Sequence, residues 1–191
     1  MDELSNLVTK LLADDDTARQ ATEELAAQGS ASLAAIQSLL AHEQADVRWW
    51  AVRTCVTIQD NVDITPLLIQ GLQDPDPAVR QCAALGLQQR PDDRAVPPLI
   101  AALSDPDSLV ARLAANALAA TGAAAVPELI NLVENSSSKV RLEAVRALAL
   151  TGDTRSIPTL FNVLESDSSL MEYWANEGLD RMGVGMVFFK P

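Results

Sequence analysis

The chain has 191 residues and a formal net charge of -12, and 48% of its residues are hydrophobic while only 4% are aromatic. Ala, Leu, Val and Ile therefore dominate the apolar residues, which is typical of close helix packing rather than of β-sheets. The negative charge repels nucleic-acid phosphates, and no Lys/Arg-rich stripe offsets it. Composition and charge thus favour an all-α protein and exclude nucleic-acid binding.

The N-terminal residues Met1, Asp2 and Glu3 lack the basic-then-apolar order of a signal peptide. No apolar run approaches the roughly 20 residues that span a bilayer. We therefore expect no membrane insertion and a cytoplasmic location.

The first two helix pairs are predicted from apolar and small residues at helical spacing. The first and weaker pattern consists of Leu7, Val8, Leu11, Ala18, Thr22 and Ala26. The second consists of Ile36, Leu40, Val47, Ala51 and Cys55. Each pattern covers a short helix followed by a second one.

Four further helix pairs each begin at a proline. Pro66, Pro97, Pro127 and Pro158 are separated by 31, 30 and 31 residues. A proline is tolerated in the first helical turn, where its missing N-H would be unpaired anyway, so each marks the start of a first helix. A leucine follows two residues after each proline, at Leu68, Leu99, Leu129 and Leu160.

The second helix of each pair has its own ladder. An apolar anchor is followed by alanine four residues later and by leucine eight residues later. The anchors are Val79, Val110, Val140 and Met171; the alanines are Ala83, Ala114, Ala144 and Ala175; the leucines are Leu87, Leu118, Leu148 and Leu179. The alanine lets the two helices approach closely, and Asp, Ser and Pro in the preceding turns supply breaks and N-caps.

Together these patterns predict an all-α, right-handed α-solenoid of about six helix-pair repeats, because no single pair can bury its apolar stripe alone. We place one such domain at residues 1-182. Its repeats cover about 4-30, 32-60, 63-93, 95-123, 125-154 and 156-182. Residues 183-191 form an apolar C-terminal tail or cap.

A surface row is expected along the second helices, at positions two, three and six after each anchor. Its candidate ligand- or partner-binding residues are Trp49, Trp50, Arg53, Arg112, Asn116, Arg146, Tyr173 and Trp174. Aromatic faces and arginines suit an extended conjugated ligand that carries carboxylates. The same residue types form protein-interface hot spots, so a protein partner remains an alternative. In a third interpretation the tryptophans wedge between repeats and the arginines pair with glutamates.

An arginine recurs directly after the anchor position, at Arg19, Arg48, Arg80 and Arg141. Because it occupies one lattice position in four repeats, we interpret it as a structural ladder that pairs with turn aspartates between repeats.

No catalytic apparatus of a common type is present. The single histidine, His42, excludes a Ser-His-Asp triad, a Cys-His pair and a dinuclear iron site built from several His-Glu pairs. Cys55 and Cys82 stand in helical patterns without metal-ligand spacing, which indicates reduced, half-buried thiols. We predict no metal site.

The repeated frame Pro-x-Leu-(Ile/Phe), followed by (Asp/Ser)-x-x-Val-Arg-x-x-Ala, resembles the HEAT-like repeat of phycobilisome lyases. The Val-Arg pairs that carry it are Val47-Arg48, Val79-Arg80 and Val140-Arg141. Chain length, aromatic pairs in the second helices and the segment from Tyr173 to Gly185 resemble the small-subunit or chaperone-like members of the cyanobacterial phycobiliprotein bilin lyases.

This resemblance implies a subunit or chaperone that helps attach an open-chain tetrapyrrole to a cysteine of an apo-phycobiliprotein. The implied partners are that apo-phycobiliprotein, a second HEAT-repeat lyase subunit and a transiently bound bilin of the phycoerythrobilin or phycocyanobilin type, near thylakoid-attached phycobilisomes. No permanently bound cofactor is expected. Glu143 and Glu177 are the candidates for proton transfer if the chain is catalytic. A non-catalytic HEAT adaptor, for example in iron-sulfur or photosystem assembly, is the alternative.

The C-terminal residues Val187, Phe188 and Phe189 follow two glycines and form an apolar run with Met186. They either fold back over the last helix pair as a cap or dock onto a partner.

Overall fold

A computed structural model describes residues 3-59, 62-165 and 168-184. Within these ranges the regular structure consists of twelve α-helices and four short 3-10 turns, and no strand is present. None of the described helices is long and apolar enough to cross a bilayer. The chain divides into two compact units, residues 1-90 and 91-191.

The first unit contains three helix pairs. They are α1 (Glu3–Leu11) with α2 (Asp15–Ala26), α3 (Leu33–Leu40) with α4 (Ala45–Thr57), and α5 (Thr65–Gly71) with α6 (Pro77–Gln89). Each first helix packs against its own second helix, and α4 packs between α2 and α6. The second helices of this unit therefore pack side by side in one layer.

The second unit repeats this arrangement. Its pairs are α7 (Val96–Ala102) with α8 (Ser108–Thr121), α9 (Val126–Asn135) with α10 (Ser138–Thr151), and α11 (Ile157–Val163) with α12 (Ser169–Arg181). Helix α10 packs between α8 and α12. The side chains of these three helices that point away from their partner helices lie on one face of the unit.

Turn aspartates cap α6 and α8 as their residue type predicts. The Asp76 carboxylate accepts a hydrogen bond from the backbone N–H of Ala78. The Asp107 carboxylate accepts hydrogen bonds from the backbone N–H groups of Leu109 and Val110. Ser137 precedes α10, but its hydroxyl oxygen accepts no hydrogen bond from the first turn of that helix. The side-chain N-cap expected from the serine-rich turn is therefore not formed.

The alanines four residues after the anchors lie in the core. Ala51, Ala83, Ala114, Ala144 and Ala175 are all fully buried. At this depth a larger side chain would separate the paired helices, because the interior is close-packed. The small residue thus fixes how closely the two helices of a pair approach.

Candidate functional site

The second unit places six polar and aromatic residues of the predicted row on α8, α10 and α12. We call this group the Arg146 cluster; its members are Arg112, Asn116, Glu143, Arg146, Tyr173 and Trp174. The guanidinium carbon of Arg146 lies 5.0 Å from the centroid of the Trp174 ring, within cation–π range. The Tyr173 and Trp174 rings meet edge to face, with centroids 5.3 Å apart.

Arg146 is held by neighbours on two helices. Its Nη2 donates to Oδ1 of Asn116 on α8 at 3.1 Å, and its Nη1 lies 3.8 Å from Oε2 of Glu143 on its own helix. The Arg146 and Glu143 side chains are only 17% and 16% exposed. Within the described residues, Nε of Arg146 and Oε2 of Glu143 are buried without a hydrogen-bond partner. The pair is therefore desolvated and incompletely satisfied.

Burial dominates the electrostatics of this pair. Desolvation raises the pKa of Glu143, and the nearby cations of Arg146, Arg112 and Lys139 oppose that rise. Desolvation likewise lowers the pKa of Arg146, against the attraction of Glu143. Since both shifts disfavour the charged form, the loss of hydration outweighs the attraction between the two side chains.

Two members of the cluster remain open to solvent. Tyr173 is 57% exposed. Arg112 is also exposed, and in the part of the chain that the structure describes its guanidinium forms no hydrogen bond or ion pair. The cluster therefore offers an available cation and an aromatic face beside a fixed Arg146–Trp174 stack.

Glu177, the other candidate for proton transfer, forms an ion pair on its own helix. Its Oε1 accepts from Nε of Arg181 at 2.9 Å, one turn along α12. Burial raises the pKa of Glu143, which favours the protonated form of its carboxyl group.

In the first unit, Trp49, Trp50 and Arg53 lie together on α4. The two indole rings meet edge to face with centroids 4.8 Å apart, and both side chains are half-buried. Arg53 is exposed. This part of the row is described within its own unit, so one continuous row from Trp49 to Trp174 stays a prediction.

A cavity beside the tryptophan pair was not anticipated from the sequence. It has a volume of ≈ 340 Å³ and is bounded by α4, the start of α2 and the turn before it. Asp14, Asp15 and Asp46 contribute carboxylates to its lining. The signal available in the sequence was the run Asp14-Asp15-Asp16, whose proximity to α4 depends on how the first two pairs pack.

The recurrent arginine has the predicted structural role at Arg48. Its Nε and Nη2 donate to the two carboxylate oxygens of Asp74 in the next repeat, at 2.7 and 2.8 Å. Its Nη1 also donates to the carbonyls of His42 and Glu43. Arg19 instead pairs with Asp16 of its own helix, so the ladder is not uniform.

The two thiols are free and more deeply buried than predicted. Burial raises the pKa of Cys55 to about 12 and that of Cys82 to about 11. Among the described residues, no group of three or more His, Cys, Asp or Glu side chains is placed to hold a metal ion. The predicted docking residues Val187, Phe188 and Phe189 lie outside the described residues.

A protein-family model described as HEAT repeats matches residues 65–131 and 126–184, which together span more than half of the chain. The chain therefore belongs to the HEAT-repeat family. A comparison with curated proteins finds no match.

Solved structures share this fold. A HEAT-like repeats protein from Thermococcus onnurineus is 14% identical with a TM-score of 0.66, covering 95% of this chain and 81% of that chain. A chain from the complex of CpcE and CpcF of phycocyanin lyase from Nostoc sp. matches at 18% identity and a TM-score of 0.57, and the match covers 75% of this chain and 96% of that chain. A designed armadillo repeat protein in complex with the peptide (KR)4 matches at 19% identity and a TM-score of 0.51, covering 95% and 100%. The predicted all-α solenoid class is thereby confirmed.

Proposed function

We propose that the protein is a subunit or chaperone of a phycobiliprotein bilin lyase, and that the Arg146 cluster contacts the apo-phycobiliprotein client and its bilin. The observation that carries this proposal is the exposed Tyr173 and the available Arg112 beside the Arg146–Trp174 stack. A bilin has both a conjugated ring system and two propionates, so it has a counterpart for the aromatic side chains and for the guanidinium.

Each group in the cluster has a separate task in this proposal. Tyr173 gives a flat surface for a pyrrole ring, and Arg112 gives a guanidinium for a propionate. Arg146 already contacts Asn116, Glu143 and Trp174, so it holds the Trp174 ring in place rather than binding the ligand itself.

The reaction would require little more than positioning from this chain. The client's cysteine thiolate adds to an unsaturated carbon of the bilin, and a proton is then delivered to the carbon skeleton. Holding the two reactants together supplies much of the rate enhancement in such an addition. Glu143 is the candidate proton donor, since its largely buried carboxyl group has a raised pKa.

Two similarities support this assignment. The Val-Arg frame of the repeats resembles that of phycobilisome lyases, and the CpcE–CpcF complex of phycocyanin lyase shares the fold. That structure is a complex of two proteins, CpcE and CpcF, which supports a second lyase subunit as a partner here.

A protein-binding adaptor is the second candidate function. Leu170 and Tyr173 on α12 are 52% and 57% exposed, and Leu109 on α8 is also exposed. Exposed apolar and aromatic side chains on α8 and α12, the two helices that flank α10, suit a protein interface without any chromophore.

Colour distinguishes the two candidates. Phycocyanobilin or phycoerythrobilin is titrated into the full chain, alone and with an apo-phycobiliprotein subunit, and visible absorbance is recorded. We expect the bilin to change its spectrum when it binds the chain. Arg112→Ala and Tyr173→Ala should each lower the apparent affinity for the bilin about tenfold, which corresponds to the loss of one charge-assisted hydrogen bond or one aromatic contact.

Phe161→Ala is the matched control, because Phe161 is an exposed aromatic residue on α11, outside the cluster. It should leave the titration unchanged. Binding of the client without any bilin-dependent spectral change would reject the lyase assignment and leave the adaptor.

A further inference from the structure

The cleft beside Trp49 and Trp50 combines an aromatic wall with an acidic rim. Both indoles line it, together with Leu11 and Leu12 from the end of α1 and the turn that follows. Leu12 is 41% exposed, Leu11 is buried, and the two indoles are half-buried. The volume of ≈ 340 Å³ is near the lower limit of small-ligand pockets and accommodates one long side chain.

The rim of the cleft is negatively charged. Asp15 lies in the first turn of α2, and Asp46 lies in the first turn of α4 one turn before the tryptophans. In the described ranges, neither carboxylate forms a hydrogen bond or an ion pair. Asp14 has a structural role, because it caps α2 by accepting the amides of Asp16 and Thr17.

The cations of the same unit do not neutralise these two carboxylates. Arg19 pairs with Asp16 at 2.7 Å, and Arg48 pairs with Asp74. Arg53 is one turn beyond Trp49 on α4 and does not line the cleft. Asp15 and Asp46 therefore keep their charge available to an outside group.

We propose that this cleft binds an arginine side chain of a partner protein. A guanidinium is planar and stacks on an indole face while it donates hydrogen bonds to carboxylates, so one side chain satisfies the tryptophan pair, Asp15 and Asp46 together. A net charge of -12 on the whole chain also attracts a basic segment. The inference concerns the first unit alone and does not depend on the proposed bilin chemistry.

The preference for arginine over lysine follows from shape and hydration. The ammonium of lysine is compact and strongly hydrated, whereas the guanidinium is weakly hydrated on its faces. A half-buried aromatic wall therefore costs arginine less desolvation than it costs lysine.

The test uses the full chain and three capped tripeptides, Gly-Arg-Gly, Gly-Lys-Gly and Gly-citrulline-Gly, each titrated to millimolar concentration. The chain has three tryptophans, so ¹⁵N–¹H spectra report three indole N–H signals, assigned with single Trp→Phe variants. We expect the arginine peptide to shift the signals of Trp49 and Trp50 but not that of Trp174. Citrulline has the same shape without the charge and should have at least about tenfold weaker binding.

The variant Asp15→Asn/Asp46→Asn should weaken binding of the arginine peptide about five- to tenfold, as expected for two exposed ion pairs, and added salt should weaken it further. Asp93→Asn/Asp180→Asn, which removes two exposed carboxylates from the second unit, is the charge-matched control and should bind as the unmodified chain does. Thermal melting of both variants checks that the fold is kept.

Three results would overturn the proposal. They are an absence of shifts at Trp49 and Trp50, equal binding of the citrulline or lysine peptide, and equal loss of affinity in the two double variants.

Discussion

Arg19 and Arg48 occupy the same position in successive repeats but have different surroundings. Arg48 and Asp74 are 11% and 7% exposed and form a bidentate pair that links two repeats. Arg19 and Asp16 are 65% and 85% exposed and lie on one helix. The same residue type at the same lattice position therefore contributes differently to stability.

The first prediction compares truncations of these two arginines. Arg48→Ala leaves the buried Asp74 carboxylate without a cation, with the backbone N–H of Asp76 still donating to it, and should lower the free energy of unfolding by about 3 kcal/mol. Arg19→Ala should change it little, since solvent screens that pair. Urea denaturation followed by circular dichroism measures both. Similar losses in the two variants would show that the Arg48–Asp74 pair has no special role.

Burial strongly perturbs both cysteines of the first unit. Burial raises the pKa of Cys55 from 9.0 to about 12 and that of Cys82 to about 11. The native thiols are therefore protonated at pH 8, and the thiolate is the reactive form.

The second prediction concerns thiol reactivity and alkaline stability. At pH 8 a disulfide reagent should modify both cysteines rapidly in denaturant and very slowly in the native chain. Above pH 9 the unfolded chain loses thiol protons that the native chain retains, so stability should fall between about pH 9 and pH 12. The variant Cys55→Ala/Cys82→Ala should have a shallower fall. Rapid native modification at pH 8 would contradict the buried positions.

At the scale of helices, close contact between second helices depends on small residues. A Cβ built on Gly178 of α12 would lie 2.7 Å from the Ala149 Cα and 2.9 Å from the Ala149 Cβ of α10. A Cβ on Gly86 of α6 would instead meet the ends of the Val56 and Leu68 side chains at 2.8 and 3.0 Å. Side-chain ends can move, whereas the α10 backbone cannot move without repacking.

The third prediction follows from that difference. Gly178→Ala should lower the free energy of unfolding by about 1 to 2 kcal/mol, because overpacking outweighs the gain in helix propensity. Gly86→Ala should have a smaller effect. Thermal melts of the two variants make the comparison, and a stabilised Gly178→Ala variant would mean that α10 and α12 are less tightly packed.

The helix pairs could be predicted because they depend on local patterns. Prolines such as Pro97 and Pro158 fall in first helical turns, and each anchor, alanine and leucine ladder lies on one helix. Cap chemistry was predictable at Asp76 and Asp107, where an aspartate precedes the helix. The predicted N-cap is not formed at Ser137, because a cap also depends on the orientation of the side chain.

The candidate site was predictable only in part. Periodicity places Arg146 and Trp174 on neighbouring second helices, but their stacking depends on the distance between α10 and α12. The acidic cleft needs the α1–α2 turn to lie beside α4, and no periodicity within one helix encodes that. These two contacts therefore depend on packing distances between helices, whereas the Arg48–Asp74 pair between repeats could be predicted from the recurrence of the arginine.

At the scale of the whole molecule, the charge of -12 determines which macromolecules can bind. The fourth prediction is that the full chain neither binds heparin nor shifts duplex DNA at physiological salt, because it would repel their anionic groups. A basic protein of similar size is the control in the mobility assay. A salt-dependent DNA shift would contradict the charge argument.

The central claim is that the face formed by α8, α10 and α12 binds an apo-phycobiliprotein client. Amide hydrogen exchange of the full chain, with and without that client, tests it most directly. We predict slower exchange in residues 108-121, 138-151 and 169-181 when the client is present, and loss of this protection in Tyr173→Ala but not in Phe161→Ala. Unchanged exchange in all three helices, at client concentrations that saturate any complex, would contradict the claim.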